Sequence, residues 1–144
     1  MNYLLDTPVV SELVRKEPND LVLRWLAAQA EDTLFLSVLT LGELQKGISK
    51  LAESDRKTRL AMWLAQDLAV RFRQRLLPVD VAVAVEWGAL QGSGLQHGTP
   101  LPIVDCLLAA TARVHNLTIV TRNAADLLRC GATVLNPWNM PLPD

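Results

Sequence analysis

Five short apolar runs, separated by longer segments with helical spacing, constrain the fold of this chain more than any other feature of its sequence. Turn-forming residues bound the runs, which we assign as buried strands. The predicted strands lie at 2–5, 34–38, 76–79, 117–121 and 132–135. The predicted helices lie at 8–16, 19–30, 40–53, 56–74, 81–93, 102–115 and 123–129. Strands that alternate with helices in this way predict an α/β fold whose mostly parallel sheet is flanked by helices on both faces.

No linker, low-complexity tract or repeat of fixed period divides the 144 residues. Half of them are hydrophobic and a fifth are charged, which is enough apolar material for one compact core. We therefore predict a single domain over 1–144, in which the proline-rich residues 136–144 form an irregular tail.

Composition and charge exclude several classes of function. The formal net charge is −1, so any contact with nucleic acid has to be local. Cys106 and Cys130 form no CxxC pair, and with only two histidines they indicate buried, reduced thiols and not a zinc site. The N-terminus lacks a signal sequence, and Asp80 and Glu86 interrupt the most apolar later segment. These features predict a soluble cytoplasmic protein without a membrane partner.

Acidic residues fall at the predicted strand-to-helix junctions. In a parallel α/β sheet, ligands bind outside the carboxyl ends of the strands, so these junctions are where chemistry is expected. One carboxylate falls at each of four junctions, namely Asp6, Glu43, Asp105 and Asp126.

Two of these acids have an alternative explanation as helix caps. Thr7 and Pro8 match the cap and first position of a helix, whose positive end Asp6 would favour. The sequence TLGE matches a capping box, with Thr40 as the cap and Glu43 reaching back to its amide. For either acid taken alone, capping is the stronger explanation.

Helix N-termini likewise explain Asp105, and Asp126 behind a cap at Asn123, when each is taken alone. Four carboxylates at one sheet edge are a different matter. Like charges about 4 Å apart repel by on the order of 4 kcal/mol per pair at an effective dielectric constant near 20, whereas a helix dipole offsets only ~0.3–1 kcal/mol. Protonation or a cation has to neutralise such a cluster, and oxygen ligands without histidine or thiolate indicate Mg²⁺ or Mn²⁺.

An acidic Mg²⁺ or Mn²⁺ site with open coordination positions suits the attack of water on a phosphodiester. The hydroxyls of Thr7, Ser11 and Thr121 lie beside the acids, where they would hold the water or a phosphate oxygen, or else cap helices. Lys46, three residues after Glu43, would form an ion pair with it or contact substrate.

Two other phosphate-binding patterns are incomplete. The segment GSGLQHG at 92–98 follows no predicted strand and lacks a complete dinucleotide- or phosphate-binding motif, so we predict a turn there, after the helix that carries Trp87. A phosphatase of the haloacid dehalogenase type needs a second aspartate two residues after the first, where this chain has Pro8.

The predicted helix 56–74 has basic ends, which form a solvated face or guide RNA phosphates. The basic residues are Arg56, Lys57, Arg59, Arg71, Arg73 and Arg75. Trp25 and Trp63 lie in apolar helical segments and belong to the core or to a dimer interface.

Four segments together resemble a known family. LLDTPVVSE, LSVLTLGELQKG, PIVDCLLAATARVHNLTIVTRN and the closing NPW resemble, in order and over nearly the whole chain, PIN-domain nucleases of the VapC type and most closely their FitB-like branch. The resemblance implies a Rossmann-like PIN domain and the toxin half of a type II toxin-antitoxin system, with Mg²⁺- or Mn²⁺-dependent endoribonuclease activity. It also implies a homodimer and a cognate antitoxin that blocks the site and binds operator DNA, so that the toxin meets DNA only indirectly.

The resemblance assigns the site residue by residue. It matches the family acids to Asp6, Glu43 and Asp105. The fourth acid follows TR directly in some members, where this chain has Asn123, and comes three positions later in others. We assign Asp126 as the fourth acid, with Asn123 assisting.

One further departure from the family pattern is Pro8, which stands where an asparagine usually follows DT and helps to hold the first turn. An alternative function is therefore a catalytically weak or inactive PIN domain that acts mainly as the partner of a DNA-binding antitoxin. The first three acids favour the enzyme, because a domain that only binds a partner gains nothing from their mutual repulsion.

Overall fold

A computed structural model describes residues 1–140 of the chain. Five strands within this range form one parallel sheet in the order β3-β2-β1-β4-β5. The strands are β1 Tyr3–Leu5, β2 Leu34–Ser37, β3 Leu76–Leu77, β4 Thr118–Val120 and β5 Val134–Leu135. The predicted strands and their parallel arrangement are confirmed. Because β1 is central, the residue that follows it lies in the middle of the carboxyl edge.

Helices connect the strands at every crossover. The α-helices are α1 Thr7–Ser11, α2 Asp20–Ala28, α3 Val38–Ser49, α4 Asp55–Met62, α5 Ala69–Arg71, α6 Val81–Gln96, α7 Ile103–His115 and α8 Ala124–Arg129. A π-helical segment, Trp63–Leu68, joins α4 to α5, so the helix predicted at 56–74 is present but changes its winding midway. None of the helices within residues 1–140 is both long enough and apolar enough to span a membrane.

The core lies on both faces of the sheet. Successive residues of β1 point in opposite directions, so Leu5 packs in a cluster with Val9 and Leu36 on one face, while Leu4 packs with Ala109 on the other. Helices α1 to α3 contribute to the first cluster, and α7 and α8 to the second. The sheet is therefore covered on both faces, as the alternating pattern predicts.

The turn predicted at 92–98 is wrong, because α6 continues through these residues to Gln96. Gly94 is a helical residue whose missing side chain allows a close approach, since a Cβ there would lie 2.7 Å from the Thr99 carbonyl oxygen. The turn itself comes at Gly98, whose φ of 71° favours glycine.

Two smaller expectations have mixed outcomes. Cys106 and Cys130 are buried and unpaired, as predicted. The tail predicted as irregular over 136–144 contains a short 3₁₀ turn at Pro137–Asn139, which Asn136 caps through the Trp138 amide. Residues 141–144 of that prediction lie outside the described range.

Candidate active site at the carboxyl edge of the sheet

Asp6 follows β1 directly and begins α1. Its backbone is extended, and its Oδ1 accepts a hydrogen bond of 2.8 Å from the Thr7 amide, so Asp6, and not Thr7, is the helix cap. Only 9% of the residue is exposed. Burial raises the pKa of the Asp6 carboxyl above its usual range, and the charges of Glu43 and Asp105 add to the rise, while hydrogen bonds from Thr121 and Thr7 oppose it.

Thr121 holds the second oxygen of Asp6 from the neighbouring strand. Its hydroxyl donates a 2.8 Å hydrogen bond to Asp6 Oδ2 and accepts one of 2.9 Å from the Asn123 amide. Thr121 is fully buried. These contacts make Thr121 a positioning residue for Asp6 and for the turn at Asn123, whereas the sequence left open a helix cap or contact with water or phosphate.

Glu43 lies on α3 and is tied to α1. The Thr7 hydroxyl donates a 2.8 Å hydrogen bond to Glu43 Oε1. The predicted capping box is wrong, because α3 begins at Val38 and its cap is Ser37, whose hydroxyl accepts a bond from the Leu39 amide. Sequence reasoning missed this cap, although a serine at the junction of β2 and α3 is a typical signal for one.

Thr40, the cap proposed from the sequence, lies inside α3. Its hydroxyl is buried and has no hydrogen-bond partner within the described residues. Glu43 is therefore not needed to cap a helix, and its carboxylate faces the edge of the sheet for another reason.

Asp105 occupies the first turn of α7 without acting as a cap. The residue at the cap position is Pro102, and no side chain caps this helix. Partial burial raises the pKa of the Asp105 carboxyl, and the negative charges of Asp126 and Glu43 raise it further. Asp105 is thus a second carboxylate that is destabilised by its surroundings.

Asp126 is engaged differently from the other three acids. It forms an ion pair with Arg129 on the same helix, and no side chain makes a capping hydrogen bond at the start of α8. A hydrogen bond from Asn123 and the pairing with Arg129 lower the pKa of the Asp126 carboxyl. The charge of Asp126 reaches Asp105, but its side chain is already neutralised by Arg129.

The first three acids open onto one pocket of about 340 Å³ at the carboxyl edge. Thr7 and Ser11 line it beside the acids, and Asn123 lines it where the sequence favoured Asp126. Pro8 lies in the wall, as do three apolar residues that the sequence did not indicate, Leu39, Val104 and Leu108. Lys46 is exposed on α3 and makes no ion pair with Glu43 within residues 1–140, so that alternative is not realised.

The donor set suits a hard divalent cation. Carboxylate and hydroxyl oxygens surround the pocket without histidine or thiolate, which is the chemistry of Mg²⁺ and Mn²⁺. Within the described part of the chain, however, no three acidic, histidine or cysteine side chains are placed to hold one ion together. The ion pair of Asp126 with Arg129 has to open before this acid shares an ion with the others, whereas the bond from Thr7 engages only one oxygen of Glu43.

Comparisons with known proteins agree with this arrangement. The model of the PIN domain matches residues 3–129. The chain is 35% identical over 136 residues to Toxin FitB of Neisseria gonorrhoeae, covering 94% of this chain and 98% of that protein. It is 32% identical to VapC ribonuclease Y4jK of Sinorhizobium fredii, covering 94% and 96%. The solved structure of FitAB bound to an IR36 DNA fragment superposes with a TM-score of 0.89 at 31% identity, covering 97% and 98%.

Proposed function

The chain belongs to the PIN-domain family, and we propose that it is the toxin of a type II toxin-antitoxin system that cleaves RNA as a Mg²⁺- or Mn²⁺-dependent endoribonuclease. One observation carries the proposal: Asp6, Glu43 and Asp105 open onto a single pocket. Helix capping does not explain this, because neither Glu43 nor Asp105 caps a helix. A relative named as a VapC ribonuclease supports RNA as the substrate class. We also propose that the whole chain forms one PIN domain.

The three pocket acids, joined by Asp126, would hold the cation. A bound divalent cation lowers the pKa of water and stabilises the leaving oxyanion of a phosphodiester. Thr121 and Thr7 fix the orientation of Asp6 through both of its oxygens. Asp126 has to leave Arg129 to take part, and Asn123 assists from the pocket wall.

Two further side chains are placed to contact the RNA. The Ser11 hydroxyl lines the pocket and would donate a hydrogen bond to a phosphate oxygen. Lys46 lies one helical turn beyond Glu43, on the same side of α3, and would meet a phosphate at the mouth of the site. Neither residue is needed to hold the acids in place.

We propose a cognate antitoxin as the protein partner. FitAB, a solved relative, is bound to a DNA fragment in its structure, which supports contact with DNA as part of a complex. We propose that the antitoxin makes this contact with operator DNA. The formal net charge of −1 agrees with an indirect role on DNA. We place the complex in the cytoplasm.

A second function is supported by the ties on two of the acids. Glu43 accepts a hydrogen bond from Thr7 on one oxygen and Asp126 pairs with Arg129, so each carboxylate already has a partner in the protein. A domain in which these ties persist would be a weak or inactive nuclease that acts mainly as the antitoxin's partner. The two functions differ in whether purified protein cleaves RNA.

Cleavage of RNA by protein freed of antitoxin tests the nuclease directly. We expect cuts in total tRNA, or in another RNA class, when Mg²⁺ or Mn²⁺ is present, and none in excess EDTA. The reason is that the carboxylates alone neither activate water nor stabilise the leaving oxyanion, which is the role of the cation. The products should carry 5′-phosphates, which end-labelling would detect. Equal cleavage in EDTA would rule out the metal mechanism, and folded protein inert on every RNA class would favour the second function.

We also propose a homodimer, supported by an apolar face on α6. Val81, Val85 and Leu95 are 81%, 68% and 68% exposed, and at helical spacing they share one face with Gly88 and Gly92. A Cβ at either glycine would meet open space, so the face is shallow enough for a helix of a second copy. Exposed apolar patches of this kind mark interaction surfaces.

Val85→Glu is expected to convert the dimer to a monomer, because two copies would bury like charges opposite each other. Light scattering after gel filtration measures the mass. Ser93→Glu adds the same charge on another side of α6 and should leave the dimer intact. A Val85→Glu protein that remains dimeric would place the interface elsewhere, and a monomeric parent protein would remove the proposal.

A further inference from the structure

A groove leads away from the acidic pocket toward α4. Its inner part, a cavity of about 250 Å³, shares Thr7, Ser11 and Glu43 with the pocket. Its outer part, a cavity of about 480 Å³, is lined by Val14, Lys16, Arg56, Arg59, Leu60 and Trp63. Arg56, Leu60 and Trp63 line both parts. The two cavities are therefore continuous with the acidic pocket, and we call these two cavities together the α4 groove.

One face of α4 supplies the outer wall of this groove. Arg56, Arg59, Leu60 and Trp63 stand at positions i, i+3, i+4 and i+7, which lie on the same side of a helix. Leu60 and Trp63 pack partly against the core, whereas both arginines are exposed. The wall is thus apolar at its base and cationic at its rim.

One cation of the groove, Arg15 in its inner part, is paired with Glu12, but the other three are not neutralised by the protein. Within residues 1–140, Lys16, Arg56 and Arg59 make no ion pair. At the other end of the same helical region, Arg71 and Arg75 both bind Glu31. The predicted alternatives for the basic ends thus separate by residue. Arg71 and Arg75 support the fold and Lys57 pairs with Glu53, whereas Arg56 and Arg59 have no acidic partner within the described residues.

The pairing of Arg71 and Arg75 is also visible in the pKa of their partner, Glu31. Hydrogen bonds from Arg71 and Arg75 lower the pKa of the Glu31 carboxyl to about 2. Arg75 also donates to the backbone carbonyls of Glu31 and Leu34 and lies over the Phe72 ring. These contacts give Arg71 and Arg75 a structural role as supports for the start of β2.

Trp63 is the second feature that indicates a ligand. It is half-buried, and its indole lines both parts of the groove. The π-helical segment begins at this residue, and such segments are rare and occur frequently at functional sites. A partly exposed tryptophan beside unpaired arginines is the arrangement that holds a stacked base between phosphates.

We propose that the α4 groove binds the single-stranded RNA that flanks the scissile phosphate, with a base stacked on Trp63 and adjacent phosphates on Arg56, Arg59 and Lys16. This inference rests on the proposed nuclease function. The acidic pocket alone repels RNA, so cations along the path out of it offset that repulsion and hold the strand in register. A polyanion fits the unpaired charges, and the indole provides the sequence-tolerant contact that RNA flanks require.

Binding of RNA, measured without cleavage, tests the groove. The probe is a fluorescein-labelled single-stranded oligoadenylate, titrated by anisotropy in EDTA, with every variant built on Asp6→Asn. We expect Arg59→Gln to weaken binding and to lower the slope of log K against log salt by about 0.7, the value for one lost phosphate contact on a single strand. Trp63→Leu should weaken binding about fivefold or more, whereas Trp63→Phe should retain most of it.

Matched controls separate the groove from general charge. Arg73→Gln removes the same charge from an exposed position outside the groove and should change neither the affinity nor the slope. If Arg59→Gln behaves like Arg73→Gln, the groove proposal is wrong. If Arg59→Gln leaves oligoadenylate binding intact but abolishes binding of a labelled leucine-glutamate peptide, the groove serves a protein partner instead.

The same variants distinguish this proposal from the nuclease itself. With Asp6 intact, Arg59→Gln should raise the KM for RNA cleavage and leave kcat nearly unchanged, because the flank is bound equally before and during the reaction. Metal-dependent cleavage with an unchanged KM would remove the groove proposal and leave the nuclease standing. If the parent protein cleaves no RNA at all, the result would instead count against the proposed nuclease function.

Discussion

Replacing Asp6 with asparagine is expected to reduce RNA cleavage by more than about 100-fold, since losing even an outer-shell partner of a metal site typically costs ~10–100-fold. Asp6 is the most buried of the four acids, and both of its oxygens are held by hydrogen bonds from Thr7 and Thr121. Its carboxylate is therefore the pre-oriented ligand of the pocket. Gel-based cleavage of tRNA with Mn²⁺ measures the loss.

The stability of the same variant separates a metal ligand from a structural residue. Asparagine keeps an oxygen for the Thr7 amide, and it removes a negative charge that burial destabilises, so Asp6→Asn should be at least as stable as the parent in EDTA. Cation at about 100 times its Kd should stabilise the parent by about 2.7 kcal/mol and the variant far less. Thermal melts with and without Mn²⁺ measure both effects.

Asp32→Asn is the matched control for these measurements, because Asp32 is exposed and lies in the turn before β2, away from the pocket. It should cleave RNA and gain stability from Mn²⁺ as the parent does. An Asp6→Asn protein that still cleaves at the parent's rate, or that gains as much stability from Mn²⁺, would contradict the role of Asp6.

The parallel sheet was predictable because each strand carries its own signal. Leu4 and Leu5 are both buried, on opposite faces, and such uniformly apolar runs are typical of parallel strands. The order in which the strands pair carries no comparable local signal. Sequence reasoning therefore predicted that junction acids share an edge, whereas only the central position of β1 explains why Asp6 is the most enclosed of them.

The errors share one physical cause, which is that tertiary packing overrides local preference. Gly92 and Gly94 suggested a turn, but the contact between Gly94 and the segment around Thr99 holds them in α6. Thr40 matched a capping box, yet pairing of β2 with its neighbours ends the strand at Ser37 and starts α3 there. Local patterns predicted the elements correctly and misplaced their ends.

The same reasoning explains why the acids were harder to interpret singly than together. Capping explained each one, and the structure retains that role only for Asp6. Glu43 and Asp105 cap nothing. Burial raises the pKa values of the Asp6 and Asp105 carboxyls, and the negative charges of neighbouring acids raise them further. Buried carboxylates that repel each other destabilise the free protein, and a bound cation would remove this repulsion. The unfavourable arrangement therefore indicates a functional site.

The predicted role of the fourth acid, Asp126, is the part of the site that the structure changes most. Asp105→Asn is expected to reduce cleavage by more than about 100-fold. Asp126→Asn is expected to reduce it by only about tenfold, because Asp126 has to give up its ion pair with Arg129 before it binds the cation, which offsets part of its contribution. Asp105 lines the pocket, whereas Asp126 is paired with Arg129 and Asn123 lines the pocket in its place. Single-turnover cleavage rates of both variants measure the difference.

A compensating variant makes this prediction sharper. Asn123→Asp places a carboxylate at the pocket wall, so it should restore most of the activity that Asp126→Asn loses. Arg129→Gln removes the partner of Asp126, so it should leave the cleavage rate unchanged or raise it. A loss in Asp126→Asn as severe as in Asp105→Asn, without rescue by Asn123→Asp, would make Asp126 a full ligand that leaves Arg129 on metal binding. No loss at all in Asp126→Asn would remove it from the site and leave three acids with Asn123.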